Sequence, residues 1–310
     1  VAKAKEFGMP AVALTDHGNL FGAIEFYQAA TAGGVKPILG YEAYIAPESR
    51  FSKTGGGGNY FHLTLLVKNE VGYRNIMRIA SEAYLKGFYY KPRIDHEFLA
   101  AHSEGLVCLS GCLKSELSQT LMHSEDKKKG LEVAAKYRDM FAPGDFYVEI
   151  QYNGLELQKQ ALEASIPVAR DLGVKLIASN DVHYLTKACA KHHDVLLCIQ
   201  TGKVMSDKSR LKFSTDEFYL KSPEEMAAVF RDYPEALANT LEVAEKVDLK
   251  LKFGEIHVPP FASPGGLSPD VYFDRICEEG MALRYGEGWK EEPRFTKRLE
   301  YEKGVIKKMG

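Results

Sequence analysis

Up to about residue 210, short apolar runs alternate with longer amphipathic stretches. The runs AVALTD (11–16), KPILGYEAYIA (36–46), YFHLTLLVK (60–68), GLVCLSG (105–111), FYVEIQ (146–151) and KLIASND (175–181) are rich in Val, Ile, Leu and aromatic residues. Most end at Gly, Asn or Asp, so they read as strands closed by turn residues. Between them Leu20–Ala32, Gly72–Leu85, Leu131–Phe141 and Leu155–Leu172 have a helical pattern. In the last, Leu155, Leu162, Ile166 and Ala169 mark one apolar face. Strand–helix alternation predicts an α/β fold, a largely parallel sheet with helices outside. This many units favour a closed or nearly closed barrel.

After residue 210 the texture changes. In LKSPEEMAAVF, Ser222 as N-cap, Pro223 at the first helical position and Glu225 two residues further on start a helix. Pro234 opens another. HVPPFASPGGLSPD (257–270) is rich in proline and glycine and almost uncharged. It can hold neither a helix nor a central strand, and reads as a linker between domains. Two helical patterns follow, Val271–Arg284 and Phe295–Lys308, too few residues for an independent domain. GGGG (55–58) reads as a flexible loop, not a phosphate-binding fingerprint. The chain opens inside a helical pattern (VAKAKEFGM) and stops in mid-pattern, so a longer protein is expected.

Composition narrows the classes. The 310 residues are 45% hydrophobic, enough for a large core, and the net charge of −2 excludes a strongly basic protein. It leaves room for a local nucleic-acid groove, since binding follows charge distribution. Five cysteines without a Cys-x-x-Cys pair suit a reducing compartment, hence a cytoplasmic setting. No run is long and apolar enough to cross a bilayer, and no signal peptide is visible.

The candidate chemistry lies at strand ends. Asp16 and His17 close the first run, Glu42 follows Gly40, Cys112 follows Gly111, and Asp181 and His183 stand two apart in SNDVHY. His62 departs from the rule, sitting at the start of its strand. In strand–helix barrels the carboxyl ends of strands converge on one face. Imidazole, carboxylate and thiolate gathered there would suit a transition metal. In extended chain Asp181 and His183 would point to the same side. Each residue also has a plain structural role: a polar core histidine, a surface acid, a buried thiol, an Asx turn. In GFYYKPRID, Tyr89, Tyr90, Lys91 and Arg93 could contact a nucleic-acid strand or form a tyrosine-packed loop. HSEDKKKG (123–130) reads as a solvated turn, and adjacent His192 and His193 diverge on a helix and are left out of the site.

The motifs ALTDHGNLFGAIEFYQAA, GGVKPILGYEAYIAP, HLTLLVKNEVGYRNIMRIAS, GFYYKPRID, GLVCLSGCLKSEL, NDVHY, KFSTDEFYLKSPEEM and NTLEVAEKVDLKL together closely resemble the PHP (polymerase and histidinol phosphatase) domain of bacterial replicative DNA polymerase III alpha subunits, the C-family polymerases. The resemblance covers nearly the whole chain. It implies a distorted seven-stranded β/α barrel (PHP fold, TIM-like) over residues 1–256, a linker at 257–270 and, from RLEYEKGVIKKMG, the helical start of a polymerase palm region at 271–310. It implies metal-ligand roles for His17, Glu42, His62, Cys112, Asp181 and His183, with Asp16 orienting His17. Up to three ions, Zn2+ or Mn2+, would be held. The family's first motif, a His-x-His followed by an Asp, has no counterpart here and would precede Val1. Some family members have lost the ligands; all six visible ones are present here.

For the whole protein the resemblance implies DNA-directed DNA synthesis on primer-template DNA with dNTPs, by a Mg2+-dependent core beyond Gly310. It also implies a 3′–5′ exonuclease in the barrel, and replisome partners such as the sliding clamp and a proofreading subunit. Two other readings stay open at this stage. One is a scaffold that docks the proofreading subunit, with any metal structural. The other is a stand-alone PHP phosphatase acting on a small phosphate monoester.

Overall fold

The computed structural model of the chain describes residues 1–54, 60–124, 126–255 and 259–309. The expected glycine loop at 55–58 and the first residues of the 257–270 connection lie outside the described residues. The chain divides into two compact units, Val1–Lys250 and Leu251–Gly310, so the division falls slightly before the expected boundary at 256.

The first unit is built on strands β1 (Ala11–Leu14), β2 (Lys36–Ile45), β3 (Phe61–Val67), β4 (Arg93–Ile94), β5 (Leu106–Leu109), β6 (Phe146–Gln151) and β7 (Lys175–Ser179). Their order is β1-β2-β3-β5-β6-β7, with β4 pairing the end of β2. All pairings are parallel except those of β3, which runs antiparallel to both β2 and β5. The expected parallel sheet is corrected at this strand. Parallel return needs a crossover helix, and no helix is present in the described part of the β2–β3 connection.

The helices of this unit are α1 (Ala2–Glu6), α2 (Ala23–Gly33), α3 (Glu70–Leu85), α4 (His96–Ala101), α5 (Glu116–His123), α6 (Lys127–Arg138), α7 (Glu156–Leu172), α8 (Ala190–Thr201), α9 (Pro223–Val229) and α10 (Pro234–Lys246). Lys127–Gly130, expected in a turn, instead begin α6 behind the Asp126 cap. Asn69, Asp95 and Ser115 cap α3, α4 and α5 by accepting a main-chain N–H, each satisfying an otherwise orphaned donor. The expected capping box at Ser222 and Glu225 is present on α9.

The sheet curls on itself. Ala11 of β1 and Ile177 of β7, from opposite ends of the strand order, pack in one core cluster with Ile38, Leu66, Leu109 and Tyr147. Val243, Ala244 and Val247, along and just after α10, complete that cluster. β1 and β7 are not paired among the described residues, and an apolar cavity of about 560 Å³ lies between Val12, Ile177, Met226 and Leu241. The architecture is an α/β distorted barrel with helices around it.

In the second unit α11 (Pro269–Tyr285) and α12 (Pro293–Met309) each exceed the expected helical pattern by one or two residues at either end. Asp274 of α11 pairs with Lys303 (3.0 Å) and Lys307 (2.6 Å) of α12, and Tyr285 stacks on Phe295 at 4.2 Å. Among the described residues no helix is long and apolar enough to cross a membrane.

Candidate metal centre

Main-chain pairing carries β1 and β2 onward beyond Leu14 and sets the first two site residues. The Glu42 N–H donates to Asp16 O at 3.0 Å, and the Gly18 N–H donates to Glu42 O at 2.9 Å, bridging His17 to Glu42. Gly18 is required there. Its φ is +67°, and an added Cβ would lie 2.7 Å from the Tyr44 ring. His62 is brought in by the reversal of β3. Running against its neighbours, this strand starts at the end of the sheet where the others finish, so the departure of His62 from the strand-end rule disappears in space. The His62 N–H donates to Lys114 O at 3.0 Å, which ties the Cys112–Ser115 turn to β3.

The geometry at the centre is tight. His17 Nδ1 lies 2.8 Å from Glu42 Oε2 and His62 Nδ1 lies 2.5 Å from Glu42 Oε1. Ligand-type atoms of these three residues all fall within 4.8 Å of one another. Cys112 Sγ is 3.6 Å from His62 Nδ1 and 4.0 Å from Glu42 Oε1. The His183 ring centroid is 6.1 Å from that of His17. All six predicted ligands, His17, Glu42, His62, Cys112, Asp181 and His183, line one cavity of about 680 Å³.

Asp181 reaches the cavity by a different route from the one expected. Its φ is +48°, left-handed rather than extended, so alternation along a strand does not place it. Neighbouring hydrogen bonds impose this backbone. Asn153, buried, donates to Asn180 O (2.9 Å) and Asn180 Oδ1 (3.2 Å), Lys221 Nζ donates to Asn180 Oδ1 (3.1 Å), and the His183 N–H donates to Phe218 O (2.8 Å). His183 Nδ1 donates to Asp181 O at 2.8 Å, so Nε2 is the ring nitrogen left to accept or to bind a cation.

Two expectations are corrected. Asp16 was expected to orient His17, but the imidazole Nδ1 faces Glu42, and Asp16 contributes its main-chain carbonyl to Glu42 instead. Arg93 was expected at a nucleic-acid surface. It belongs to β4, is 3% exposed, and spends its guanidinium on the carbonyls of Gly87 (3.3 Å) and Ser52 (2.6 Å). Lys91, two residues earlier, does line the cavity.

The structure adds residues that the sequence pattern passed over. Glu149 of β6 is 7% exposed and accepts from Gly111 N (3.1 Å) and Thr64 Oγ1 (3.4 Å) on one oxygen. Its other oxygen accepts from Gln151 Nε2 (3.1 Å) and Ser179 Oγ (2.5 Å). One carboxylate thus gathers groups from β3, the Cys112 turn, β6 and β7. An acid inside the apolar run FYVEIQ was the signal available. His193 of α8, left out of the site on its sequence spacing, also lines the cavity, its ring 5.3 Å from that of His183.

Charge is managed closely. Burial alone would raise the Glu42 carboxyl, but the His17 and His62 hydrogen bonds outweigh it and hold the pKa at about 2. The Glu42 bond raises His17 against the effect of burial. Burial, with Glu42 and Asp181 nearby, pushes the Cys112 thiol well up. Burial also raises Asp181. A carboxylate gripped by two imidazoles beside a desolvated thiol and a second carboxylate is a donor set that fits a transition cation. Such a cation would add positive charge beside the Glu42 carboxylate.

Residues 1–153 match the PHP domain family. The chain is 43% identical over 312 residues to the DNA polymerase III subunit alpha of Treponema pallidum, which covers 100% of this chain and 26% of that protein. It is 46% identical over 286 residues to the corresponding subunit of Thermus aquaticus, covering 89% of this chain and 23% of that protein. A crystal structure provisionally described as a metal-dependent phosphoesterase from Bifidobacterium adolescentis superposes at a TM-score of 0.35 with 14% identity, over 58% of this chain and 80% of that one, a likeness too slight to carry an argument. The chain spans about a quarter of the length of these curated relatives. Residues 1–153 therefore belong to the PHP domain family, and the chain is related along its length to the DNA polymerase III alpha subunits.

Proposed function

We propose that the cavity is a metal-dependent phosphodiesterase site, acting in the intact protein as a 3′–5′ exonuclease. The observation that carries this reading is the convergence of His17, Glu42 and His62 on one point, with Cys112, Asp181 and His183 lining the same cavity. His17, Glu42, His62 and Cys112 would hold one cation, and Asp181 and His183 would serve a second. The soft thiolate beside imidazoles suits Zn2+, and the carboxylates also suit Mn2+. When bound, such cations polarise phosphoryl oxygens and make water acidic enough to act as a nucleophile. Glu42 holds the two imidazoles in place, and the Asn153–Asn180–Lys221 network holds Asp181. A third ion would need the His-x-His motif that the family resemblance expects before Val1.

The relatives' printed names extend the proposal to the whole protein: a replicative DNA polymerase acting in the cytoplasm on primer-template DNA and dNTPs. Its Mg2+-dependent polymerase core would lie beyond this chain, with residues 271–310 opening the palm region. Its partners would be the sliding clamp and a proofreading subunit. In the full-length protein, removal of a mismatched 3′ nucleotide should depend on Zn2+ or Mn2+. His183→Ala should abolish it at unchanged thermal stability, and an unchanged rate would sink the proposal. Loss of fold on metal removal, with no nuclease activity to lose, would favour the scaffold instead.

A further inference from the structure

We infer that Lys91 and Lys114, with Lys212, form a subsite for the phosphodiester backbone of a single-stranded nucleic acid beside the metal centre. The inference rests on the phosphodiesterase reading of the same cavity and names what that cavity holds besides the scissile group.

The three lysines come from distant parts of the chain: the loop before β4, the turn after Cys112, and the segment after α8. All line the 680 Å³ cavity. None pairs with a carboxylate among the described residues, whereas Lys187, Lys221 and Lys246 on the same barrel each do. The three ammonium groups make no ion pair with Glu42 or Asp181, which take His17, His62 and His183 as partners, although Lys212 is near enough to Asp194 to lower that carboxyl. Instead each of two is held over an aromatic ring. Lys114 Nζ lies 3.8 Å from the Tyr60 centroid, and Lys91 Nζ lies 5.5 Å from that of Tyr44. Such contacts fix a flexible cation while leaving its N–H donors free.

The rings in turn pack on the predicted ligands. Tyr60 is parallel to His62 within 5° at 5.8 Å, and Tyr44 packs on His62 at 5.3 Å and on His17 at 6.3 Å. Lys91 and Lys114 therefore each stand one aromatic ring away from the candidate metal centre, where the phosphate next along a strand would lie. Leu197, Leu211 and Phe213 also line the cavity and offer an apolar surface for a base. A cavity of about 680 Å³ admits about one or two nucleotides, which suits a single strand rather than a duplex.

The test is binding of a fluorescein-labelled oligothymidylate to the 310-residue chain in EDTA, followed by anisotropy across a salt series. Each phosphate contact contributes about 0.7 to the slope of log K against log salt on a single strand. Lys114→Ala and Lys91→Ala should each weaken binding and flatten the slope by about that amount. Lys114→Arg, which keeps the charge, should hold the parent slope, and Lys5→Ala on α1 should change nothing. Lys212 is exposed, so Lys212→Ala gives a reading that misfolding cannot explain. Parent-like slopes in all three alanine variants, or no binding by the parent, would overturn the subsite. The same substitutions made in the full-length protein and assayed with Mn2+ separate the two ideas. Lysine-dependent binding without cleavage keeps the subsite and removes the nuclease, while cleavage at an unchanged KM does the reverse.

Discussion

Replacing Glu149 by alanine tests whether one buried carboxylate organises the candidate metal centre. Burial raises this carboxyl, while four donors, two per oxygen, favour the ionised form that accepts at both oxygens. The loss is not four times one hydrogen bond. Gln151 Nε2 also donates to Ser179 Oγ at 3.1 Å, so these two keep a partner, and the Thr64 contact is long. The Gly111 N–H has no such alternative: it sits at φ +93° and is buried. A stranded main-chain donor costs about 1–3 kcal/mol. With the void left by the carboxyl, and less the relief from no longer burying a charge, the net loss should be roughly 2–4 kcal/mol. In a chain of this size that lowers Tm by roughly 3–8 °C. Gly111 adjoins Cys112, and Ser179 lies two residues before Asp181. Zn2+ or Mn2+ affinity should therefore fall about 10–100-fold, as it does when partners that orient metal ligands are removed. Calorimetric unfolding and metal titration of the same variant give both readings. Glu149→Gln, which keeps one acceptor oxygen for Gly111, should recover part of each. An unchanged Tm together with unchanged metal affinity would refute the reasoning.

Arg50 binds Glu82 at 2.9 Å and Asp95 at 2.9 Å with about a tenth of its side chain exposed, so Arg50→Met should destabilise the chain by about 3 kcal/mol in urea unfolding at neutral pH. Burial would raise both acids, but the Arg50 bonds hold them below their usual range. Their stabilisation is therefore present above the unfolded carboxyl range near pH ~4 and lost as pH falls through the depressed values, so the Arg50→Met difference should shrink toward pH ~3. Adding Zn2+ or Mn2+ at about 100 times its Kd should stabilise the chain by about 2.7 kcal/mol, read as a rise in Tm that EDTA reverses. Gly18→Ala should lower Tm and metal affinity together, because the new methyl meets the Tyr44 ring and the backbone is left-handed; a neutral result would show that this turn can relax.

The regular elements were legible because their signals are local. Every strand of four or more residues and the long helices fall within a few residues of the apolar patterns that announced them. The direction of β3 was not legible, since it depends on whether a connection carries a crossover helix. β4, at two residues, is too short to leave a period. The candidate ligands were visible as polar groups at strand ends, and the reversal of β3 resolves the position of His62. What could not be read was convergence. Lys114 and Lys212 look like ordinary charged residues until the fold brings them to one cavity. The pairing of Lys91 with Arg93 failed for a related reason, because Arg93 belongs to β4 and is buried there, while Lys91 lies in the loop before that strand and meets the cavity.

The left-handed backbone at Asp181 separates what the fold needs from what the chemistry needs. Only glycine, asparagine and aspartate adopt that conformation cheaply. Asparagine or glycine there would erase the carboxylate of a candidate ligand while the turn keeps its shape, so the proposed hydrolytic activity would have a route to decay without folding being impaired. A domain of this kind can outlive its own reaction and persist as architecture, and residue 181 is where that divergence would leave its first trace.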